Sequence, residues 1–306
     1  MLVLETSSLT KKYGPHFAVD HVNMHIEKDD IYGFVGENGA GKTTIIRLIC
    51  GLAAPSEGGY KLFGVDSKDK EILKAREKVS GIVEAVSLTP SLTAKDNIKF
   101  QAILANKKLS DEEINELISR VGLDPLEIEK KKVKSFSLGM RQRLGIAITL
   151  INEPEFIILD EPMNGLDPKG FIEVRDTIIE LNKQGITFLI SSHILSELEK
   201  VSNKIGFISH GKLIKELSIK ELHEQSKSRI ELEVEDVEKV YKLLEEKMKL
   251  TNLSINGNVI SIFDKVDMNE VMQCLVQNSV TVLNISKKED TIESYYMNLI
   301  GGKKNA

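Results

Sequence analysis

The spacing of apolar residues changes character several times along the chain. At the start it alternates: Leu2 and Leu4 fall in one run, Val22, Met24 and Ile26 in another, with Tyr13-Gly14-Pro15 as the turn between them. A period of two predicts strands with one covered face. Ile31-Tyr32-Gly33-Phe34-Val35 breaks the alternation and predicts a strand buried on both faces, followed by a helix through Ile49. The segment Gly58 to Gly64 predicts a short antiparallel hairpin. Residues 85–150 are mostly helical in pattern, and Ser110-Asp111-Glu112-Glu113 has the form of a capping box ahead of Ile114, Leu117, Ile118 and Val121. Continuous apolar runs return at Phe156 to Leu159 and at Ile186 to Ile190, and Lys204 to Leu213 predicts a closing hairpin around His210-Gly211.

Near residue 218 the pattern changes again. A strand (Arg229 to Val234), a helix (Val237 to Met248) and a hairpin turning at Asn256-Gly257-Asn258 come first. A second helix (Met268 to Gln277), a strand (Val280 to Ile285) and a last helix (Thr291 to Ile300) complete the tail. The order βαββαβ is the split-βαβ, ferredoxin-like pattern. The expected division is therefore an α/β domain over 1–217, with a helical part at about 85–150, and a small α+β domain over 218–306. The tail carries no chemical motif and reads as a regulatory or packing module.

Composition narrows the field. Of 306 residues 41% are hydrophobic and 28% charged, enough apolar material for a sizeable core in a soluble protein. A net charge of −5 argues against a polyanion binder, so no nucleic-acid partner is expected. No stretch reaches the about 18 uninterrupted apolar residues of a membrane span, and the run from Ile146 to Leu159 is broken by Asn152, Glu153 and Pro154. Met1-Leu2-Val3-Leu4-Glu5 lacks the basic region and cleavage site of a leader. Cys50 and Cys274 have neither metal spacing nor a disulfide framework, and they read as reduced cytosolic thiols.

Two motifs carry chemistry. Gly36-Glu37-Asn38-Gly39-Ala40-Gly41-Lys42-Thr43-Thr44 follows a buried strand and opens a helix, the context a phosphate-binding loop requires. Its glycines let backbone N–H groups approach the phosphates of a nucleoside triphosphate. Lys42 adds charge, the Thr43 hydroxyl can ligate Mg²⁺, and the helix start adds its positive dipole end. Phe156-Ile157-Ile158-Leu159-Asp160-Glu161 is an apolar strand ending in two carboxylates. Asp160 is placed to hold Mg²⁺ through water, and Glu161 to polarise an attacking water as general base.

Between them, Ser137-Leu138-Gly139-Met140 within Ser135 to Arg143 resembles the LSGGQ signature of ABC-type ATPases, with Leu138 for the first glycine and Met140 for the glutamine. Asn164-Gly165-Leu166-Asp167 resembles the D-loop of that family, His193 its switch histidine, and Tyr13 the aromatic that stacks on adenine. Outside this set Tyr13 would be a half-buried strand residue and His193 a helix cap. His16, His21, His25, His210 and His223 have no motif partner and read as structural. The resemblance covers about residues 1–217. It implies a dimer of two copies with ATP and Mg²⁺ sandwiched between them, each signature loop serving the opposite subunit. It also implies a separate integral membrane permease and a cytoplasmic place on the inner face of the membrane, reached only through that permease.

One departure is informative. The family places a glutamine nine residues before the threonine of a Leu-Thr pair; here the pair is Leu92-Thr93 and the residue is Glu84. In that family the position contacts metal and couples to the permease, and the resemblance implies the same for Glu84. A glutamate there resembles the ATPases of lantibiotic self-immunity and bacitracin-resistance exporters, as do the signature, the stretch Gln142 to Ala147 and the tail ending Glu293-Ser294-Tyr295-Tyr296. Export of a membrane-active peptide antibiotic is the expected function. The alternatives are an exporter ATPase for lipid, polysaccharide or ions, and a soluble ABC protein outside transport.

Overall fold

A computed structural model of the chain describes residues 1–225 and 228–289. The chain separates into two compact units, Met1–Lys220 and Glu221–Ala306.

The first unit opens with β1 (Leu2–Tyr13), β2 (His16–Val22) and β3 (His25–Glu27), the last two antiparallel to β1. Then come β4 (Ile31–Val35), α1 (Lys42–Ile49), β5 (Glu57–Leu62), β6 (Val65–Asp66), α2 (Ile72–Glu77) and β7 (Val79–Ile82). The expected Gly58–Gly64 hairpin turns at Phe63-Gly64, both at positive φ, and its long partner is β1 rather than β6. Gly58 instead sits within β5, where a Cβ would come within 2.1 Å of the Ser8 carbonyl oxygen.

The helical segment supplies α3 (Ala94–Leu104), α4 (Asp111–Arg120), the short α5 (Pro125–Ile128) and α6 (Leu138–Thr149). The capping box at Ser110 is present, each of Ser110 and Glu113 accepting the other's backbone N–H. β8 (Phe156–Asp160), α7 (Pro168–Lys183), β9 (Thr187–Ser192), α8 (Leu195–Glu199), β10 (Lys204–Ser209), β11 (Lys212–Ser218) and α9 (Ile219–Gln225) follow.

One sheet of this unit is antiparallel, in the order β2-β1-β5-β6 with β3 also on β1. The other has six strands in the order β11-β10-β4-β9-β8-β7, parallel except for the β10–β11 hairpin at His210-Gly211. Every residue of β4, β8 and β9 is buried, which is why their sequences do not alternate. One core joins the two sheets: Leu4, Leu9, Met24, Ile26 and Leu62 pack with Ile45, Ile46, Leu48 and Ile49 of α1 and with Phe34, Phe156 and Ile158. Each such aliphatic contributes about 1.5–3 kcal/mol, so the helix behind the phosphate loop is firmly held.

The second unit runs β12 (Ser228–Val234), α10 (Val237–Met248), β13 (Leu253–Asn256), β14 (Val259–Ile262), α11 (Met268–Gln277) and β15 (Val282–Glu289). Its sheet has the order β13-β14-β12-β15 with every neighbour antiparallel. Two βαβ units are thus interleaved, and Leu232, Val240, Leu244, Ile260, Val271 and Leu275 form a separate core. The helix expected over Thr291 to Ile300 lies outside the described residues. Both cysteines are free thiols, and burial pushes the Cys50 thiol up to about 11. Among the described residues no helix is long and apolar enough to cross a membrane.

Candidate active site

The loop from Gly36 to Thr44 is shaped at Gly36 and Gly41 by contacts that leave no room for a side chain. A Cβ on Gly36 would lie 2.5 Å from the Ile208 carbonyl oxygen, and one on Gly41, at φ 109°, 2.4 Å from that of Ala18. Only glycine has the freedom and the slimness for both places. The Gly36 N–H donates to Ser192 O at 3.4 Å, and Ala40 N–H closes the turn onto Glu37 O at 3.1 Å. α1 then starts at Lys42 with no side-chain cap on its first N–H groups, the arrangement that presents backbone donors to an anion. Lys42 is 6% exposed, and its Nζ donates to the carbonyls of Gly36 (2.6 Å) and Glu37 (3.3 Å).

The acid pair at the end of β8 is divided by backbone geometry. Asp160, buried, accepts from Thr43 Oγ1 at 2.9 Å and from Ser191 Oγ at 2.5 Å. Glu161 has φ 52°, and its N–H is held by Ser191 through both the carbonyl and the hydroxyl. That left-handed turn carries its carboxylate away from Thr43: Oε1 lies 3.4 Å from Lys42 Nζ, and Oε2 accepts from His193 Nδ1 at 2.7 Å. A carboxylate acceptor requires the proton on Nδ1, leaving Nε2 as the ring's remaining polar atom.

These groups line one cleft of about 390 Å³, walled by Glu37 to Thr44, Glu161, Asn164 and His193, with His16 and Ala18 from β2. That volume suits a small ligand. Tyr13 is half exposed at the end of β1 and is not part of this wall; the Lys11 ammonium lies 5.2 Å from its ring centre. Its register partner across the turn is His16.

Ser137 and Asp167 are both helix caps. Ser137 Oγ accepts the Met140 N–H at 3.1 Å at the start of α6, and Asp167 Oδ1 accepts the Gly170 N–H at 2.8 Å at the start of α7. The two helix starts touch: a Cβ on Gly139 would be 3.1 Å from Gly170 Cα, and the Leu138 side chain reaches Gly165. Glu84, at φ 66°, stands apart from the phosphate loop and ion-pairs with Arg47 of α1. It borders a second, more apolar cleft of about 460 Å³ with Val86, Leu138 and Arg141.

The profile of the ABC transporter family matches residues 19–164. The bacitracin transport ATP-binding protein BcrA of Enterococcus faecalis is 38% identical over 303 residues, 98% of this chain and 97% of the relative. The lantibiotic transport ATP-binding protein SrtF of Streptococcus pyogenes is 42% identical over 214 residues, 70% of this chain and 90% of the relative. A dimeric ATP-binding cassette in a post-hydrolysis state, bound to ADP and Pi, superposes with a TM-score of 0.61 at 26% identity, over 71% of this chain and 98% of that one.

The chain belongs to the ABC transporter ATP-binding family. It is an ATPase, and the cleft suits its substrate: two cradle positions that a Cβ would fill, a buried ammonium, and uncapped helix donors.

Several residues of this ABC ATPase site were not singled out by motif. Ser191 joins Asp160 to the Glu161 backbone, and Ser192 anchors Gly36. Their signal was present in Ser191-Ser192-His193, two hydroxyls closing a buried parallel strand. Asn164 sat inside the D-loop motif. His16, read as structural, lines the cleft because the Tyr13–His16 turn brings β2 back to the loop. Ala18 contributes through its backbone, which no side-chain pattern reveals.

Proposed function

We propose that this ATPase powers export of a membrane-active peptide antibiotic, of bacitracin or lantibiotic type, for self-protection or resistance. Two copies close on two ATP molecules and drive a separate integral membrane permease from the inner face of the membrane. Support for the cargo comes from the relatives named for bacitracin and lantibiotic transport. The bacitracin match spans 98% of the chain and so includes the tail, which favours that type. The tail serves as a ferredoxin-like accessory module.

In this scheme Tyr13 stacks on adenine and the amides of Gly36 to Thr44 cradle the phosphates, with Lys42 on the β- and γ-phosphates. Thr43 Oγ1 and the Asp160 carboxylate, hard oxygens 2.9 Å apart, are donors suited to Mg²⁺ together with phosphate oxygens. The bound ion supplies charge neutralisation of the triphosphate. Glu161 takes the proton of the attacking water. His193 orients the Glu161 carboxylate and meets the γ-phosphate. Ser137, Leu138, Gly139 and Met140 serve the partner copy's ATP, and Asp167 joins the two sites. Closure excludes water and strengthens each charge contact. Glu84 links the metal end to the permease.

The observation that carries the scheme is the Glu161 carboxylate held between Lys42 and His193 in the cleft that Thr43 also lines, with Asp160 bonded to Thr43. The test expresses the chain with its permease in a sensitive strain and measures inhibitory concentrations of bacitracin, a lantibiotic and unrelated toxic lipids. Protection against a peptide antibiotic, lost in Glu161→Gln together with turnover, is expected. Protection against lipids alone would change the cargo, and wild-type turnover in Glu161→Gln would remove that residue from its role.

A further inference from the structure

We propose that Arg47 is a positioning residue that holds the Glu84 carboxylate one helical turn away from the Thr43–Asp160 oxygens and thereby sets how tightly the site takes a divalent cation. This rests on the metal role given above to those oxygens.

Thr43 and Arg47 are four residues apart in α1 (Lys42–Ile49) and therefore share one helix face, separated by about 6 Å along its axis, roughly one turn. Thr43 is bonded to Asp160, and Arg47 is ion-paired to Glu84. Glu84 comes to this face from the sheet. β7 lies parallel to β8 with Ile82 opposite Leu159, so the chain leaves β7 beside the point where Asp160 and Glu161 leave β8. Three carboxylates therefore gather at the carboxyl ends of adjacent strands. Two have cationic or hydroxyl partners in the cleft, and the third has Arg47.

Glu84 reaches that partner with a left-handed backbone, unusual for a glutamate, and with its side chain still 60% exposed. With most of the side chain in solvent, the Arg47 guanidinium is the ion-pair partner that holds its carboxylate. A change of rotamers spans one helical turn, which would bring a second carboxylate to the Thr43–Asp160 pair. A glutamine at 84 has no charge for Arg47 to hold and none to deliver to a cation. Because Glu84 also borders the second cleft, anything that draws it off Arg47 there alters the metal end of the first.

The experiment is a Mg²⁺ titration of fluorescent ATP-analogue binding to the purified full chain, which reads affinity without turnover. Releasing Glu84 by Arg47→Gln should lower the half-saturating Mg²⁺ concentration about two- to fivefold, the scale of an exposed ion pair. Arg47→Lys keeps a cation and should stay near wild type. In the Glu84→Gln background the Arg47→Gln shift should vanish. An unchanged midpoint in Arg47→Gln overturns the proposal, as does a shift that persists in the double variant, since Arg47 would then act on the nucleotide itself. Failure of the unmodified chain to bind the analogue at any Mg²⁺ level would instead bring down the assignment of the cleft to ATP, and the inference with it.

Discussion

The Arg143 guanidinium donates to Glu173 Oε2 at 2.8 Å and to the Gly122 carbonyl at 2.6 Å, tying α6 to α7 and to the end of α4 from a nearly buried position. Ser137 caps α6 and Asp167 caps α7, so this side chain, together with the close approach of Gly139 to Gly170, holds the spacing of the two helix starts. Arg143→Ala leaves Glu173 and Gly122 without these bonds. With Glu173 31% exposed, the cost should be about 1–3 kcal/mol, below that of a fully buried pair. Urea unfolding of the first unit's transition checks it. Turnover should fall further than nucleotide binding, because the helix starts are displaced while the phosphate loop is untouched.

Two glycines of the loop separate strain from collision. Gly39→Ala places a Cβ in open space at φ 81° and should cost roughly 1 kcal/mol with ATP binding weakened only modestly. Gly41→Ala adds a Cβ 2.4 Å from a backbone oxygen at φ 109°. It should lower stability by about 1–3 kcal/mol and abolish nucleotide binding. Calorimetric titration with ATP distinguishes the pair.

Tyr13 and His16 face each other across the β1–β2 turn, yet only His16 lines the cleft. If Tyr13 stacks on the base, Tyr13→Ala should weaken ATP about tenfold, the size of one stacking contact, while Tyr13→Phe stays near wild type. His16→Ala should cost less. A larger loss from His16→Ala would transfer the base contact to the imidazole.

Glu197 on α8 accepts the Ser192 hydroxyl at 3.1 Å, and burial raises its carboxyl above the ordinary range despite that bond. The folded state therefore favours the protonated form. The burden on the charged form is complete above the folded value and disappears as pH falls below the unfolded value of about 4.3. Glu197→Gln keeps an acceptor for Ser192 and removes the charge. It should be more stable than wild type at pH 7, with the difference gone below about pH 4. Urea midpoints at the two pH values test the sign.

Much of this was legible in the sequence because local chemistry and position coincided. Ile31 to Val35 and Phe156 to Asp160 could only be strands covered on both faces, and the loop and carboxylates at their ends followed. The tail's α10 and α11 fall where the pattern put them, Val237 to Met248 and Met268 to Gln277, and the structure adds Asp236 and Asp267 as their caps. The hairpin over Gly58 to Gly64 was legible, but not the division of labour between its glycines: Gly64 makes the turn, whereas Gly58 lets β1 approach. Ser191, His16 and Arg47 escaped because their roles depend on neighbours distant in sequence, brought together by strand order rather than by any spacing.

The cap at Ser137 assigns the two halves of one hydroxyl. One lone pair of its oxygen is taken by the Met140 N–H, and its proton is not used by that bond and can be offered outward. Folding thus uses the oxygen as an acceptor, and the proposed ATP-bridged pairing would use the hydroxyl as a donor. Aspartate at 137 would satisfy the first demand and violate the second, keeping α6 capped while presenting a negative charge to the partner's phosphates. Ser137→Asp should fold, bind ATP and remain a single copy at concentrations where the wild type pairs, a difference that light scattering with ATP resolves. Under the proposed pairing, the ability to be a subunit hangs on one hydrogen atom that the cap itself does not need.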